Sequence, residues 1–134
     1  MFITADQVLA HAVGDYILQS HWMATEKTKN SVAAAVHAVT YTLPFLFITQ
    51  AVVPLAIICG THFLVDRFRL ARYVVWLKNG PLMMVRTDQG WLRRIPLTAT
   101  GYQDDVPTWL SVWLLIIADN ILHVVINGLA LKYA

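Results

Sequence analysis

Polar residues recur at every fourth position near the start of the chain. Gln7, His11, Asp15 and Gln19 stand four apart, while Val8, Leu9, Val13, Tyr16, Ile17 and Leu18 fill the positions between them. Each step of four turns a helix only about 40° past a full turn, so these residues form one narrow polar stripe on an otherwise apolar rod. Thr4 followed by Gln7 has capping-box spacing, and a first helix is expected over about 4–19. It is short and polar for a membrane span. The narrowness of the stripe favours a crossing helix over an amphipathic one lying at the interface.

Residues 20–30 read as a wet connection, with Trp22 as an interface anchor. Ser31 is the expected N-cap of a second helix over about 31–50, kinked at Pro44. Val52-Val53-Pro54 forms a tight turn, with Pro54 at the first position of a third helix over about 54–76. Helices joined so closely must be antiparallel neighbours. Asn79-Gly80-Pro81 ends that run, and residues 79–106 form the one sizeable aqueous segment. Within it, Thr87-Asp88-Gln89-Gly90 fits the turn of a β-hairpin. Asp104, Asp105 and Pro107 mark the start of a fourth helix over about 107–131, about the length needed to cross a bilayer of about 30 Å. The pattern predicts an all-α polytopic bundle of about four transmembrane helices, a single integral membrane domain over residues 1–134.

Composition supports the bilayer as solvent. Hydrophobic residues make up 57% of the 134 and charged residues 13%, against about 45–50% and about 25% in soluble domains. A net charge of +2 is too small to point to nucleic acid. Cys59 is the one cysteine, which excludes an internal disulfide and a cysteine-based zinc site. A cleaved signal peptide is not expected, because Asp6, His11 and Asp15 fall where its apolar region would lie. With four crossings, Lys27, Lys29, Arg67, Arg69, Arg72, Lys78, Arg86, Arg93 and Arg94 share one side, and Lys132 alone takes the other. That asymmetry places both termini in the periplasm and the basic loops in the cytoplasm.

The candidate chemistry lies inside the spans. Asp15, Asp66 and Asp119 each have a histidine four residues away: His11, His62 and His123. His37 adds a further histidine on the second helix, so every helix offers a ligand-type side chain. An ionisable group at bilayer depth costs at least about 2.5 kcal/mol, so these groups need an inward face and a partner. Imidazole nitrogens and carboxylate oxygens from several helices suit a divalent metal: zinc first, with manganese or iron as alternatives. Asp15, Asp66 and Asp119 are also the candidate general bases. Gln7, Gln19 and Asn120 are candidate supports for the ligands through hydrogen bonds, Gln7 and Gln19 between helices. His21 reads as a surface residue beside Trp22, and Thr40, Tyr41 and Thr42 carry no special weight. At about 1.5 Å per residue, His11, Asp15, His37 and His62 fall roughly 7–14 Å below the cytoplasmic ends. Asp66 is shallower, and Asp119 and His123 are deeper, at roughly 16–23 Å, so the layers overlap without coinciding.

The chain resembles the family called domain of unknown function 3307, small membrane proteins of bacteria and their phages. The resemblance rests on His11-x-x-x-Asp15-x-x-x-Gln19, Lys27, His37, His62-Phe63-Leu64-Val65-Asp66 and Asp119-Asn120-x-x-His123. It leaves residues 70–106 unmatched. The family pattern favours Asp-Gln in the last block where this chain has Asp119-Asn120, and either amide can hydrogen-bond. The family carries no assigned activity; what the resemblance implies is a bacterial or phage origin and, for a phage member, a role at a host inner membrane. The pattern is also similar in style to bacterial membrane proteins classed as metal-dependent hydrolases, an analogy only.

Three readings stay open. The leading one is a metal-dependent hydrolase of a lipid-like or membrane-proximal substrate, with His11, Asp15, His37, His62, Asp66, Asp119 and His123 holding one or two ions. The second is a non-enzymatic phage or host membrane factor with a structural polar core. It would act on a second copy or another membrane protein through Met83, Met84 and Trp91. The third is a proton or divalent-ion conduit.

Overall fold

The computed structural model describes residues 2–79, 86–87, 90–91 and 97–134. Helix α1 spans Ala5–Ala12. Thr4 is its cap, and its hydroxyl accepts from the Gln7 amide at 3.4 Å. The helix then widens into a π turn over Val13–Ile17 and stops there. Gln19 therefore lies beyond the helix that the fourfold spacing had carried through it. Ser20 takes an extended backbone and caps a short helix α2, His21–Glu26, by accepting from the Met23 amide at 3.3 Å. The expected wet connection is thus largely helical, because a serine in extended conformation captures the first free amides.

Asn30, not Ser31, caps helix α3, Ser31–Thr42, with Oδ1 accepting from the Val32 amide at 2.8 Å. Pro44 has no N–H to offer the helix. The chain accordingly tightens into a 3₁₀ turn over Leu43–Phe47 instead of kinking and running on to residue 50. Helix α4, Val52–Phe68, begins two residues before Pro54. The first turn of a helix has no intrahelical use for its amides, so a proline is tolerated there. Arg69 then adopts the left-handed conformation, φ 53° and ψ 47°, and its N–H reaches back to the Asp66 carbonyl at 3.2 Å. The single helix expected over 54–76 is therefore two, α4 and α5, Ala71–Lys78.

The expected hairpin is present as an antiparallel ribbon of β1, Arg86–Thr87, and β2, Gly90–Trp91, with Thr87 opposite Gly90. Asp88 and Gln89 of the expected turn, and the Met83 and Met84 expected in a contact surface, lie outside the described residues. Helix α6, Thr108–Tyr133, starts just after Pro107, whose carbonyl accepts from the Leu110 and Ser111 amides. Among the described residues α6 is the one helix long and apolar enough to cross a membrane. Ser31–Phe47 is apolar but shorter. Among the described residues the architecture is all-α apart from this ribbon of two two-residue strands.

The chain divides into two compact units. The first runs to Arg69 and includes Ile121–Ala134, the second half of α6. Here α3 packs on α4, and α1 with its π turn packs on α3 and the 3₁₀ turn. The buried alanines Ala33, Ala34 and Ala38 leave room for close approach. At Gly14 the approach is closer still: a Cβ there would stand 2.6 Å from Tyr41 Cδ2 and 2.9 Å from the Tyr41 carbonyl oxygen. The polarity of this unit is inverted. Gln7, His11, His37, His62, Asp66, His123 and Asn127 are buried, while Leu9, Ile17, Val32 and Val52 are exposed and Phe47 is 96% exposed.

The second unit, Leu70–Asn120, contains α5, the ribbon and the first half of α6. The turn at 98–102 is held to the end of α5. Asn79 donates to the Gly101 carbonyl at 3.1 Å, and Lys78 donates to the Tyr102 hydroxyl at 3.0 Å. Gly101 has φ +78°, and a Cβ there would collide with the Arg72 carbonyl, so glycine is required.

Candidate metal centre

Three elements of the first unit deliver four side chains to one point. The π turn supplies Asp15, α3 supplies His37, and α4 supplies His62 and Asp66 one turn apart. His37 Nε2 lies 3.0 Å from His62 Nε2. Each of these nitrogens faces both carboxylates. His37 Nε2 is 3.2 Å from Asp15 Oδ1 and 3.2 Å from Asp66 Oδ2. His62 Nε2 is 3.4 Å and 3.2 Å from the same two oxygens. Ligands bound at about 2.0–2.2 Å in a tetrahedron stand about 3.3–3.6 Å from one another, so these atoms lie at or just inside that spacing. Asp15 Oδ1 and Asp66 Oδ2 are the two carboxylate oxygens that face these nitrogens. These buried histidines and aspartates could hold a metal ion.

The outer atoms of the same residues are backed by a second layer. The other oxygen of Asp15, Oδ2, lies 3.5 Å from His11 Nδ1, which is 2.8 Å from the Tyr41 hydroxyl. Asn127 donates to that hydroxyl at 2.6 Å. The other oxygen of Asp66, Oδ1, lies 3.5 Å from His123 Nε2. His123 Nδ1 is 3.2 Å from His62 Nδ1, so one histidine supports a carboxylate and an imidazole together. The Tyr41 ring stacks on the His62 ring at 3.5 Å between centroids and 11° between planes, which fixes the imidazole's orientation. Such supporting partners set tautomer and ring angle in metal sites.

Among the described residues, Lys27 is the cation seen at the cluster. Lys27, at the end of α2, places Nζ 2.7 Å from Asp66 Oδ2 and 3.2 Å from His37 Nε2. The connection that carries it is stitched to α4. Arg67 donates to the Thr28 carbonyl at 2.8 Å and to the Ser31 hydroxyl at 3.1 Å.

Of the residues expected from sequence, Asp15, His37, His62 and Asp66 meet directly, and His11 and His123 stand one step behind them. His123 shares a layer with Asp66, although helical rise placed it deeper. Counting rise assumes a common entry level and no tilt, and an error of five residues in either shifts a layer by about 7.5 Å. Asp119 stands one turn before His123 on α6, half-buried, in the stretch that belongs to the second unit. The Gln7 amide bridges helices by donating to the Val124 carbonyl, as expected of it. The Asn120 amide donates to the Ile116 carbonyl on its own helix at 2.7 Å. Gln19 is half-buried beyond the π turn.

Two central residues were missed. Tyr41 was given no weight, yet it is fully buried and touches His11, His62 and Asn127. Its signal was available: Tyr41 lies four residues after His37 and so shares its helix face. Lys27 is a topology signal and part of the family resemblance in the sequence, but no local spacing ties it to the cluster.

The comparison with known families gives a match to the family described as a protein of unknown function, DUF3307, over residues 3–89, and the chain belongs to that family. Asp15, Lys27, His37, His62 and Asp66 lie inside the matched stretch, while Asp119, Asn120 and His123 lie beyond it. No curated protein and no solved structure matches the chain.

Proposed function

We propose that this member of the DUF3307 family is an integral protein of the bacterial inner membrane that holds a divalent metal, zinc by preference, at Asp15, His37, His62 and Asp66. The reading extends to a metal-dependent hydrolase acting on a lipid-like substrate at the cytoplasmic leaflet. The observation that carries it is the meeting of four ligand atoms from three elements, the two imidazole nitrogens 3.0 Å apart and each 3.2–3.4 Å from both carboxylates. The inverted polarity supports lipid as the solvent, since buried imidazoles and carboxylates behind an apolar exterior suit a bilayer. The apolar length of α6 supports it further.

A divalent ion supplies Lewis acidity, polarising a phosphoryl or acyl oxygen and making water more acidic. The protein's own residues supply the rest. Asp66, with 4% of its side chain exposed, is enclosed between His37, His62, His123 and Lys27 and serves as an anchoring ligand. Asp15, at 12%, is the more accessible carboxylate and the better candidate for receiving a proton from water. His11 stands 3.5 Å from its outer oxygen, with its own Nδ1 against the Tyr41 hydroxyl. Elemental analysis of detergent-purified protein tests this. Near-stoichiometric zinc, manganese or iron is expected, falling sharply in His62→Ala. Metal that is substoichiometric and indifferent to His62→Ala ends the reading.

One observation favours a second reading, in which the cluster is a structural polar core of a membrane factor that works through protein contacts. The Lys27–Asp66 pair at 2.7 Å already supplies a compensating cation. The same metal analysis separates the two.

A further inference from the structure

Lys27 is the charged residue that the metal reading leaves without a task. Its ammonium lies against Asp66 Oδ2 and His37 Nε2, two of the four atoms that converge on the centre. An ammonium and a divalent ion would share these lone pairs. An ion held by the same atoms would displace the ammonium from them, which leaves a cation beside the centre with donors to offer an incoming anion. Lys27 and Asp15 are the more exposed members of the cluster, with side chains 18% and 12% exposed, against 0%, 1% and 4% for His37, His62 and Asp66.

Resting on the metal reading, we propose that Lys27 and the loaded centre together form a binding site for a phosphoryl anion, the phosphate group of a phosphate ester. A compact ammonium with three rotatable donors suits phosphate oxygens as a point charge. A tetrahedral oxyanion can offer one oxygen to the metal side and another to Lys27. The assignment makes Lys27 a substrate-binding residue and narrows the substrate class from lipid-like esters in general to phosphate esters.

The test uses the full chain in lipid nanodiscs, loaded with zinc, with inorganic phosphate as the probe and acetate as a carboxylate control, read by titration calorimetry. Wild type should bind phosphate more tightly than acetate. Lys27→Met should weaken phosphate binding at least tenfold while holding zinc as tightly as wild type or more tightly, because a competing cation has gone. Lys27→Arg should recover most of the phosphate affinity. Unchanged phosphate affinity in zinc-loaded Lys27→Met overturns the phosphate site and leaves the metal centre standing. Loss of zinc in Lys27→Met overturns it too, since Lys27 is then a structural brace. A wild-type protein that retains no zinc removes the metal reading itself and the phosphate site with it.

Discussion

The two His-x-x-x-Asp pairs of the first unit look alike in sequence and differ in the fold. His11 and Asp15 lie where α1 widens into its π turn; His62 and Asp66 lie on regular α4. Asp66 is ringed by three histidines and a lysine. Asp15 meets three histidines and keeps the more open side. Within the pairs the histidines trade places: His62 faces the centre with Nε2, while His11 stays behind Asp15 with Nδ1 toward Tyr41. The same spacing thus yields an enclosed anchor in one place and an accessible carboxylate in the other. The difference comes from what packs against each helix. Gly14 lets the π turn press onto Tyr41, whereas the α2–α3 connection closes over Asp66 through Lys27 and Arg67.

The comparison can be broken by substitutions of graded effect. Asp66→Ala should do most damage, removing the metal and leaving Lys27 without its buried counter-charge. Loss of one partner from a buried pair costs about 3–5 kcal/mol, and thermal unfolding in detergent should show a large drop. A melting temperature close to wild type would mean that Asp66 is no more an anchor than Asp15. Gly14→Ala should cost less, about 1–3 kcal/mol, as the added methyl forces the π turn off Tyr41. Metal affinity should fall with it, because Asp15 rides on that turn. Full metal affinity in Gly14→Ala would show that the close approach does not position Asp15. Asp15→Asn should be mildest for the fold, within about 1 kcal/mol, since the amide can still hydrogen-bond. Metal content should nonetheless collapse, as a neutral amide replaces a charged ligand. Retained metal in Asp15→Asn would move Asp15 out of the centre and leave it a bundle contact.

Much of this was legible along the chain. The cap at Thr4, the helix start after Pro107, the break at Asn79 and the i,i+4 pairs depend on residues within a turn of one another. Helical geometry converts such spacings into faces without further information. The breaks at Ile17 and Arg69 were not legible in the same way. A helix pattern that continues in hydrophobicity gives no notice of a π turn or a left-handed residue, because both are selected by what the following segment must reach. Arg69 takes a positive φ with no glycine to announce it. Ser20 and Asn30 did carry cap signals, and the composition of the surrounding polar stretch masked them.

The sequence by itself determined that imidazoles and carboxylates would stand on the same helix faces and would have to find partners there, since the first follows from helical periodicity and the second from the cost of leaving charge on an apolar rod. Only the tertiary structure decided that four of those groups converge, that His123 backs two of them, and that Lys27 and Tyr41 complete the arrangement. Those choices join residues ten to eighty-six positions apart, and contacts at such separation are fixed by how helices pack, which no local spacing encodes.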